Sequence, residues 1–169
     1  MKKIPRTLAL FALCLLLPAA RAQAAHPDAS AAATPTQNAE RFQQLHQSFL
    51  ERGKAGPIGV LFIGDSIVNH WRIAPAIWDK YYGSYQPANF GIPGDTTQNV
   101  IWRIEHGELD GLHPRAVVFM LGTNNTGSNT ADEIFAADRK IVGLIRAKIP
   151  ETKVLLLGIF PRGARKGPG

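Results

Sequence analysis

The amino-acid sequence predicts a three-layer α/β/α fold built on a parallel β-sheet. Short apolar runs of strand length alternate with longer segments of helical periodicity, which is the order of βαβ units. The apolar runs are nearly continuous, as expected of strands that are buried on both faces. A chain of 169 residues with 45% hydrophobic residues is long and apolar enough to bury a core of this kind.

The individual elements follow in chain order from residue 38. A first helix runs from Asn38 to Arg52 with apolar residues at helical spacing, and a Gly-Pro pair at 56–57 ends it. The predicted strands are 58–63, 85–90, 116–121 and 154–159, of which the second has the weakest pattern. The predicted helices between them are 67–82, interrupted at Pro75, then 96–106 and 131–149. Two of these helices begin with residue pairs at capping-box spacing, Asp95 with Gln98 and Thr130 with Glu133.

The amino-terminal 24 residues have the composition of a secretory signal peptide. Lys2, Lys3 and Arg6 precede an apolar run, and small residues at 22–24 suit cleavage near Ala24. The apolar run of about ten residues is shorter than the roughly 20 that span a bilayer, so no stable membrane anchor is expected. The sequence therefore predicts a secreted or periplasmic protein, with a spacer at residues 25–37 and one domain at residues 38–169.

Charge and cysteine content exclude several classes of function. Cleavage would remove four basic residues and leave 15 Lys+Arg against 13 Asp+Glu, with no basic stripe for nucleic acid. The only cysteine, Cys14, would leave with the signal peptide, which excludes disulfides, thiolate metal sites and a cysteine nucleophile. No His, Asp and Glu cluster has ligand spacing, so neither a metal nor an organic cofactor is expected.

Three loops that directly follow predicted strands carry polar residues, at 64–66, 91–95 and 122–125. Ligands of parallel α/β sheets bind beyond the carboxyl ends of the strands, so these loops are the candidate site. Ser66 in the first loop begins a helix, where free backbone N–H groups and the helix dipole suit acyl transfer. A helix N-cap serine has the same placement, and the tripeptide Gly-Asp-Ser alone does not separate the two interpretations.

Taken together, the three loops resemble a known family. The segments FIGDSIVNHW (62–71), NFGIPGDTTQNVIWRIEHGEL (89–109) and GTNN (122–125) match, in order, the first three conserved blocks of the GDSL/SGNH hydrolases. The second and third blocks are most similar to the catalytic subunits of platelet-activating-factor acetylhydrolase IB and their bacterial relatives. The resemblance, over roughly residues 40 to 165, implies a flavodoxin-like SGNH hydrolase fold with strand order 2-1-3-4-5. It also implies a serine esterase acting on short-chain acyl esters, such as acetyl esters, of lipids or carbohydrates.

The family's functional residues map onto three positions of this sequence. The resemblance makes Ser66 the nucleophile and one oxyanion-hole donor through its backbone N–H. It makes the backbone N–H of Gly94 and the side-chain amide of Asn124 the other two donors. We expect Asp65 to order the first loop and Asp95 to cap the helix that follows the second.

The sequence departs from the family pattern at its carboxyl end. The Asp and His of the family's triad lie in a D-x-x-H motif after a fifth strand, and no such motif follows the predicted fourth strand here. The domain is therefore expected to lack its last strand and helix, and the triad's Asp and His to be absent. His70, four residues after Ser66, could stand in as a base, although a solvated helix face explains it as well.

Two classes of function remain open on the sequence alone. The first is an esterase, represented here by a chain that is nearly inactive because it lacks the base. The second is a non-catalytic member of the family that binds acylated ligands or pairs with another subunit. Because the fourth strand would lie at an exposed edge, the chain is also expected to associate, and a homodimer is one form that this could take.

Overall fold

Four parallel strands form the centre of the structure, a computed structural model that describes residues 26–161. They are β1 (Val60–Gly64), β2 (Pro87–Gly91), β3 (Ala116–Met120) and β4 (Lys153–Leu156). The strands pair in the order β2-β1-β3-β4, and all three pairings are parallel. This confirms the predicted α/β fold and the order of its first four strands. Each predicted strand end lies within three residues of the observed one.

The helices flank this sheet and begin close to their predicted positions. They are α1 (Ala39–Lys54), α2 (Ser66–Asn69), α3 (Pro75–Tyr82), α4 (Thr97–Glu105) and α5 (Ala131–Lys148). The segment predicted as one helix at 67–82 is divided into α2, a 3₁₀ turn at His70–Ile73, and α3. Pro75 occupies the first turn of α3, because proline lacks the N–H that a continuing helix needs and fits only at a helix start.

Of the two predicted capping boxes, one is observed as expected and one is displaced. At α5, Thr130 Oγ1 accepts from the Glu133 N–H at 3.3 Å, and the Glu133 carboxylate accepts from the Thr130 N–H at 2.7 Å. At α4 the N-cap is Thr96, whose N–H donates to Asn99 Oδ1 at 3.0 Å. The prediction that Asp95 caps α4 is wrong, because its carboxylate is buried against Arg103 instead.

The two faces of the sheet pack against different helices. Leu61 and Ile63 of β1 belong to the main core, which they share with residues of α1, α4 and α5. Phe62 lies on the opposite face, with its ring centroid 4.8 Å from that of Trp78 and 5.0 Å from that of Tyr82. This alternation is the two-residue period of a strand that is covered on both sides.

Residues 27–33, here called the amino-terminal strap, pack across the start of α4. Thr97 Oγ1 donates to the Ala29 carbonyl at 2.7 Å, and the Ala33 N–H donates to the Gln98 carbonyl at 3.1 Å. Asn129 Nδ2 donates to the Pro27 carbonyl at 2.7 Å, and Ala29 is buried. The strap thus has structure that composition alone did not predict, because its backbone is bound by polar groups from distant parts of the chain.

No helix within residues 26–161 is long and apolar enough to cross a membrane. The predicted signal peptide, together with Cys14, falls outside the described residues. The boundaries proposed for the signal peptide, the spacer and the domain stay predictions.

Strand β4 forms one edge of the sheet and exposes apolar side chains. Among the described residues it pairs only with β3, whereas β1 and β3 each have a strand on both sides. Its Leu155 is 55% exposed, and Leu156, Leu157 and Phe160 are exposed as well. An apolar edge with unpaired backbone groups is a template for association with another strand.

We predict that Leu155→Lys lowers self-association of the chain. A lysine on an edge strand opposes strand-to-strand pairing, because its charge would have to be desolvated in the contact. Light scattering coupled to size-exclusion chromatography, over a range of protein concentrations, should show a smaller mean mass for the variant.

The matched control is Ile73→Lys. Ile73 is 80% exposed, but it lies in the 3₁₀ turn that precedes α3 rather than on the edge strand. Equal masses for the two lysine variants would contradict a role of the β4 edge in association.

We also predict that Asp138 makes the stability of the fold depend on pH. Asp138 lies on α5 in a cavity that it shares with Ile134 and Leu156, and burial raises the pKa of its carboxyl to about 7. Because the folded state then binds the proton more tightly than the unfolded state, the chain loses stability as the pH rises from about 4 to about 7. Asp138→Asn should therefore raise the free energy of unfolding at pH 8, and this gain should shrink towards pH 4.

Urea denaturation at pH 4, 6 and 8 measures this difference. Asp79→Asn is the control, since Asp79 is an exposed carboxylate on α3, and its profile should run parallel to that of the unmodified chain. An Asp138→Asn profile that also runs parallel would contradict the prediction.

Candidate active site

The three candidate loops leave the sheet at the same level. Gly64, the last residue of β1, is in register with Gly91 of β2 and with Met120 of β3. Ser66 is the first residue of α2, Gly94 lies between β2 and α4, and Asn124 lies in a 3₁₀ turn after β3. The structure therefore brings the loops of all three predicted site residues together at the carboxyl edge of the sheet.

Asp65, rather than Ser66, caps helix α2. Its carboxylate accepts from the Ile67 N–H at 2.9 Å, and the side chain is buried, which raises its pKa. This agrees with the loop-ordering function expected of Asp65. Ser66 is partly exposed, and among the described residues no hydrogen bond engages its Oγ. The alternative interpretation of Ser66 as an N-cap is thereby excluded.

Side-chain amides connect α2, which follows the first loop, to the end of β2. Asn69 Nδ2 donates to the Gly91 carbonyl at 2.9 Å, and Asn89 Nδ2 donates to the Val68 carbonyl at 2.8 Å. A Cβ atom at Gly91 would lie 2.4 Å from the backbone nitrogen of Asn69, so only glycine permits this close approach. Helix α2 is thus held against the end of β2.

Gly94 requires glycine for a different reason. Its φ angle is +89°, in a region that L side chains adopt only with strain, whereas a Cβ atom there would meet no atom within 4 Å. The conformation of the loop, rather than lack of space, therefore selects glycine. The position is exposed and accessible to a ligand.

Asn124 is oriented by a bond to the second loop. Its Nδ2 donates to the carbonyl of Asp95 at 2.8 Å. A carbonyl only accepts, so the contact assigns the amide nitrogen to this side. Because an amide nitrogen carries two N–H groups, the second is left to donate elsewhere. The neighbouring Asn125 is buried, and its Oδ1 accepts from the Thr97 N–H at 3.0 Å, which ties the third loop to the start of α4.

A group of charged side chains lies buried directly beneath the second loop. It consists of Asp95, Arg103 and Glu108 with His46 beside them, and is called the buried ion cluster here. Arg103 Nη2 lies 2.9 Å from Asp95 Oδ2, and Nη1 contacts Glu108 Oε2. His46 Nδ1 lies 3.8 Å from Glu108 Oε2. Burial raises the pKa of the Asp95 carboxyl to about 7, although the Arg103 charge opposes the shift.

Sequence reasoning missed this cluster. The available signal was an arginine on the apolar face of α4, since Arg103 follows the buried Val100 by three residues. Such a residue is buried only where carboxylates accompany it, and the chain offers several carboxylates nearby in sequence.

No histidine side chain is hydrogen-bonded to Ser66 within residues 26–161, although the His70 backbone N–H donates to the Ser66 carbonyl at the end of α2. His70 is exposed at the start of the 3₁₀ turn after α2. His46 belongs to the buried ion cluster, and His106 stacks on Trp102 with ring centroids 3.8 Å apart. His26 Nδ1 contacts the carbonyl of Ser128. No group of histidine, aspartate and glutamate side chains within residues 26–161 could hold a metal ion.

The D-x-x-H spacing occurs once in the chain, at Asp110–His113, but on the wrong side of the sheet. The pair precedes β3, and Asp110 accepts from Lys148 Nζ at 2.6 Å. Ser66 lies beyond the opposite ends of the strands, and a strand of this length spans roughly 16 Å. The pair is therefore too far away to activate Ser66.

A cavity of about 650 Å³ opens beside Gly94. The amino-terminal strap, the start of α1 and the second loop form its walls. Its lining includes Asp28, Arg41 and Gln98, so a ligand at Gly94 would meet both charged and amide groups.

Three relatives with similar sequences are subunits of platelet-activating factor acetylhydrolase IB. The chain is 38% identical over 138 residues to platelet-activating factor acetylhydrolase IB subunit alpha1 of Bos taurus, over 80% of the chain and 59% of that protein. It is 38% identical over 148 residues to subunit alpha2 of Gallus gallus, over 85% of the chain and 64% of that protein. The human alpha2 subunit matches at 38% over 81% of the chain and 59% of its own length. The chain thus spans about three fifths of the length of the relatives that it matches.

These relatives correct the predicted location. We expected a secreted or periplasmic protein, and that prediction is wrong. The finding that overturns it is the set of matched relatives, which are platelet-activating factor acetylhydrolase IB subunits of Bos taurus, Gallus gallus and Homo sapiens. The expectation depended only on the composition of residues 1–24, which the structure does not describe.

The family comparison covers the site itself. The GDSL-like lipase/acylhydrolase family matches residues 62–169, a segment that begins in β1 and contains all three candidate loops. This match includes more than half of the chain and agrees with the parallel sheet and with the resemblance of the three loop segments. The chain belongs to the GDSL-like lipase/acylhydrolase family.

Proposed function

We propose that this chain carries the nucleophile and the oxyanion hole of an esterase that hydrolyses short-chain acyl esters. The observation that supports this most is the 2.8 Å hydrogen bond from Asn124 Nδ2 to the carbonyl of Asp95. It joins the third loop to the residue that directly follows Gly94. Two of the proposed oxyanion donors are thereby adjacent at the edge of the sheet where Ser66 begins α2.

In the proposed reaction, Ser66 Oγ attacks the ester carbonyl carbon while a base takes the hydroxyl proton. The carbonyl oxygen gains negative charge, and the N–H groups of Ser66, Gly94 and Asn124 donate to it. Collapse of this intermediate expels the alcohol, which takes the proton from the base, and leaves an acyl group on Ser66. Water then releases the acid by the same two steps.

The base is the part that the described residues do not supply. No histidine side chain there is hydrogen-bonded to Ser66, and in the family the base belongs to a D-x-x-H motif after a fifth strand. We therefore propose that the 169-residue chain turns over substrate slowly. An oxyanion hole and substrate binding without the triad leave about 10³–10⁴-fold acceleration over water.

The proposed substrate is a small acyl ester of a lipid or a carbohydrate. The names of the relatives support an acetyl group, because they describe acetylhydrolases of platelet-activating factor. The same names describe subunits, and with the exposed edge at β4 this supports pairing with a second copy as a further proposal.

We predict that Ser66→Ala removes esterase activity and leaves the fold intact. The hydroxyl is the proposed nucleophile and makes no hydrogen bond that the fold would lose. The test compares two proteins, the 169-residue chain and the same chain joined to the carboxyl-terminal segment of a relative that carries D-x-x-H. Hydrolysis of nitrophenyl acetate and longer nitrophenyl esters is followed for both.

Ser84→Ala is the matched control, since Ser84 is an exposed serine at the opposite end of the sheet, just before β2. It should retain full activity in the joined protein. Activity that survives Ser66→Ala would exclude Ser66 as the nucleophile. Binding of an acyl ester without any turnover in the joined protein would instead favour a non-catalytic member of the family.

We predict that Asn124→Ala lowers kcat by about 10²–10³ in the joined protein, with a smaller effect on KM. The second N–H of the amide would donate to charge that develops only in the transition state. Asn124→Asp keeps the shape but replaces the donors with a carboxylate, so its loss should be at least as large. A change confined to KM for both variants would indicate substrate binding instead.

A further inference from the structure

We infer that Arg103 is a positioning residue that fixes the proposed oxyanion donors from within the core. The inference rests on the proposed function for the meaning of these donors. It concerns a residue that contacts neither Ser66 nor the exposed surface. Its side chain is completely buried.

Arg103 bridges the two ends of the second loop. Its Nη1 donates to the carbonyl of Phe90, near the end of β2, at 3.2 Å. Its Nη2 lies 2.9 Å from the carboxylate of Asp95, at the end of the loop. The four residues between these contacts include Gly94, so one rigid planar group sets the distance across which the loop is closed.

The guanidinium itself is held from two further directions. Glu108 Oε2 contacts Nη1, and the ring of Phe49 lies beneath the guanidinium with its centroid 5.5 Å away. Phe49 in turn stacks on Phe90 at a centroid distance of 4.5 Å. Arg103 is therefore fixed by α1 and by the segment after α4, and a shift of the loop would have to break these contacts.

The effect of Arg103 reaches both donors through Asp95. The Asp95 carboxylate is held in the core, while its carbonyl accepts from Asn124 Nδ2 and its nitrogen follows Gly94. Displacement of the Asp95 backbone would therefore release the Asn124 amide and shift the preceding residue, Gly94, at the same time. Misplacement of a catalytic group by about 1 Å can cost about 10²-fold in rate.

A role in stability alone does not account for this arrangement. Buried ion pairs are often replaced by apolar residues without loss of stability, because desolvation offsets the attraction. The cluster also has two carboxylates for one guanidinium, which adds to the cost. Asp95 faces Arg103 and Glu108 in the core and Asp65 in the first loop, and His46 of α1 faces Glu108.

The test observes the N–H groups of Gly94 and Asn124 in the 169-residue chain. Nitrogen-15 NMR resolves the Gly94 backbone amide and the Asn124 side-chain amide. In Arg103→Lys, which keeps the charge but cannot bridge both ends of the loop, both signals should move or broaden and the Asn124 protons should exchange faster with water. Ile141→Ala is the matched control, a core change on α5 outside the cluster that lowers stability. It should leave both signals in place.

Either result decides the inference. Donor signals that are unchanged in Arg103→Lys, or equally changed in Ile141→Ala, would overturn it. If Arg103→Lys does not fold, the inference is tested instead by the pH dependence of the same two signals in the unmodified chain. Both should titrate with a midpoint near the Asp95 pKa of about 7, and Asp95→Asn should abolish this titration. Signals that do not titrate, or that still titrate in Asp95→Asn, would equally overturn the positioning role.

A kinetic measurement separates this inference from the proposed function. In the joined protein, Arg103→Lys should lower kcat by about 10²-fold with little change in KM. If Ser66→Ala keeps its activity, the proposed function is wrong. The NMR measurement still tests independently whether Arg103 positions the amides of Gly94 and Asn124.

Discussion

The parallel pairing of β1 between β2 and β3 decides where the chemistry of this chain can occur. The register that aligns Gly64 with Gly91 and with Met120 makes three loops begin at one level. Each loop then needs only a short path to reach the others, and glycine at position 91 allows α2 to approach the end of β2. A different register would separate Ser66, Gly94 and Asn124 even if every loop kept its conformation. The sheet is thus the part of the structure on which the candidate site depends.

Side-chain hydrogen bonds to backbone groups position the segments at this edge of the sheet. Asn69 of α2 binds the end of β2, Asn89 of β2 binds the backbone of α2, and Asn125 accepts from the N–H of Thr97 at the start of α4. The amino-terminal strap is bound in the same manner, by side chains at the start of α4 and after β3. Backbone groups in irregular segments have no ladder or helix to pair with, so side-chain amides and hydroxyls satisfy them. This explains why so many amide residues follow the strands in this sequence.

The sequence predicted the fold well because its signals are local and repeated. An apolar run such as 116–121 predicts a strand, and the Thr130–Glu133 pair predicts a helix start, from a few neighbouring residues alone. The structure has both where they were expected. The loops of the candidate site were found by their position after strands and by family resemblance. The misassigned helix cap at Asp95 depends on the orientation of a side chain at a helix start, and the packing of residues 27–33 depends on partners distant in the chain. Capping by Asp95 or by Thr96 differs by one residue, and only the burial of Arg103 decides between them.

The buried ion cluster also shows why a carboxylate, rather than an apolar side chain, occupies position 95. An apolar residue could fill the same volume without the cost of desolvating charge. It could not, however, hold a guanidinium that also binds the carbonyl of Phe90. The loop between Phe90 and Asp95 contains a glycine at φ +89° in a turn, in which the Asp95 N–H donates to the Ile92 carbonyl at 3.2 Å. Contacts at both ends of the loop hold this turn in place, and they come from one side chain in the core.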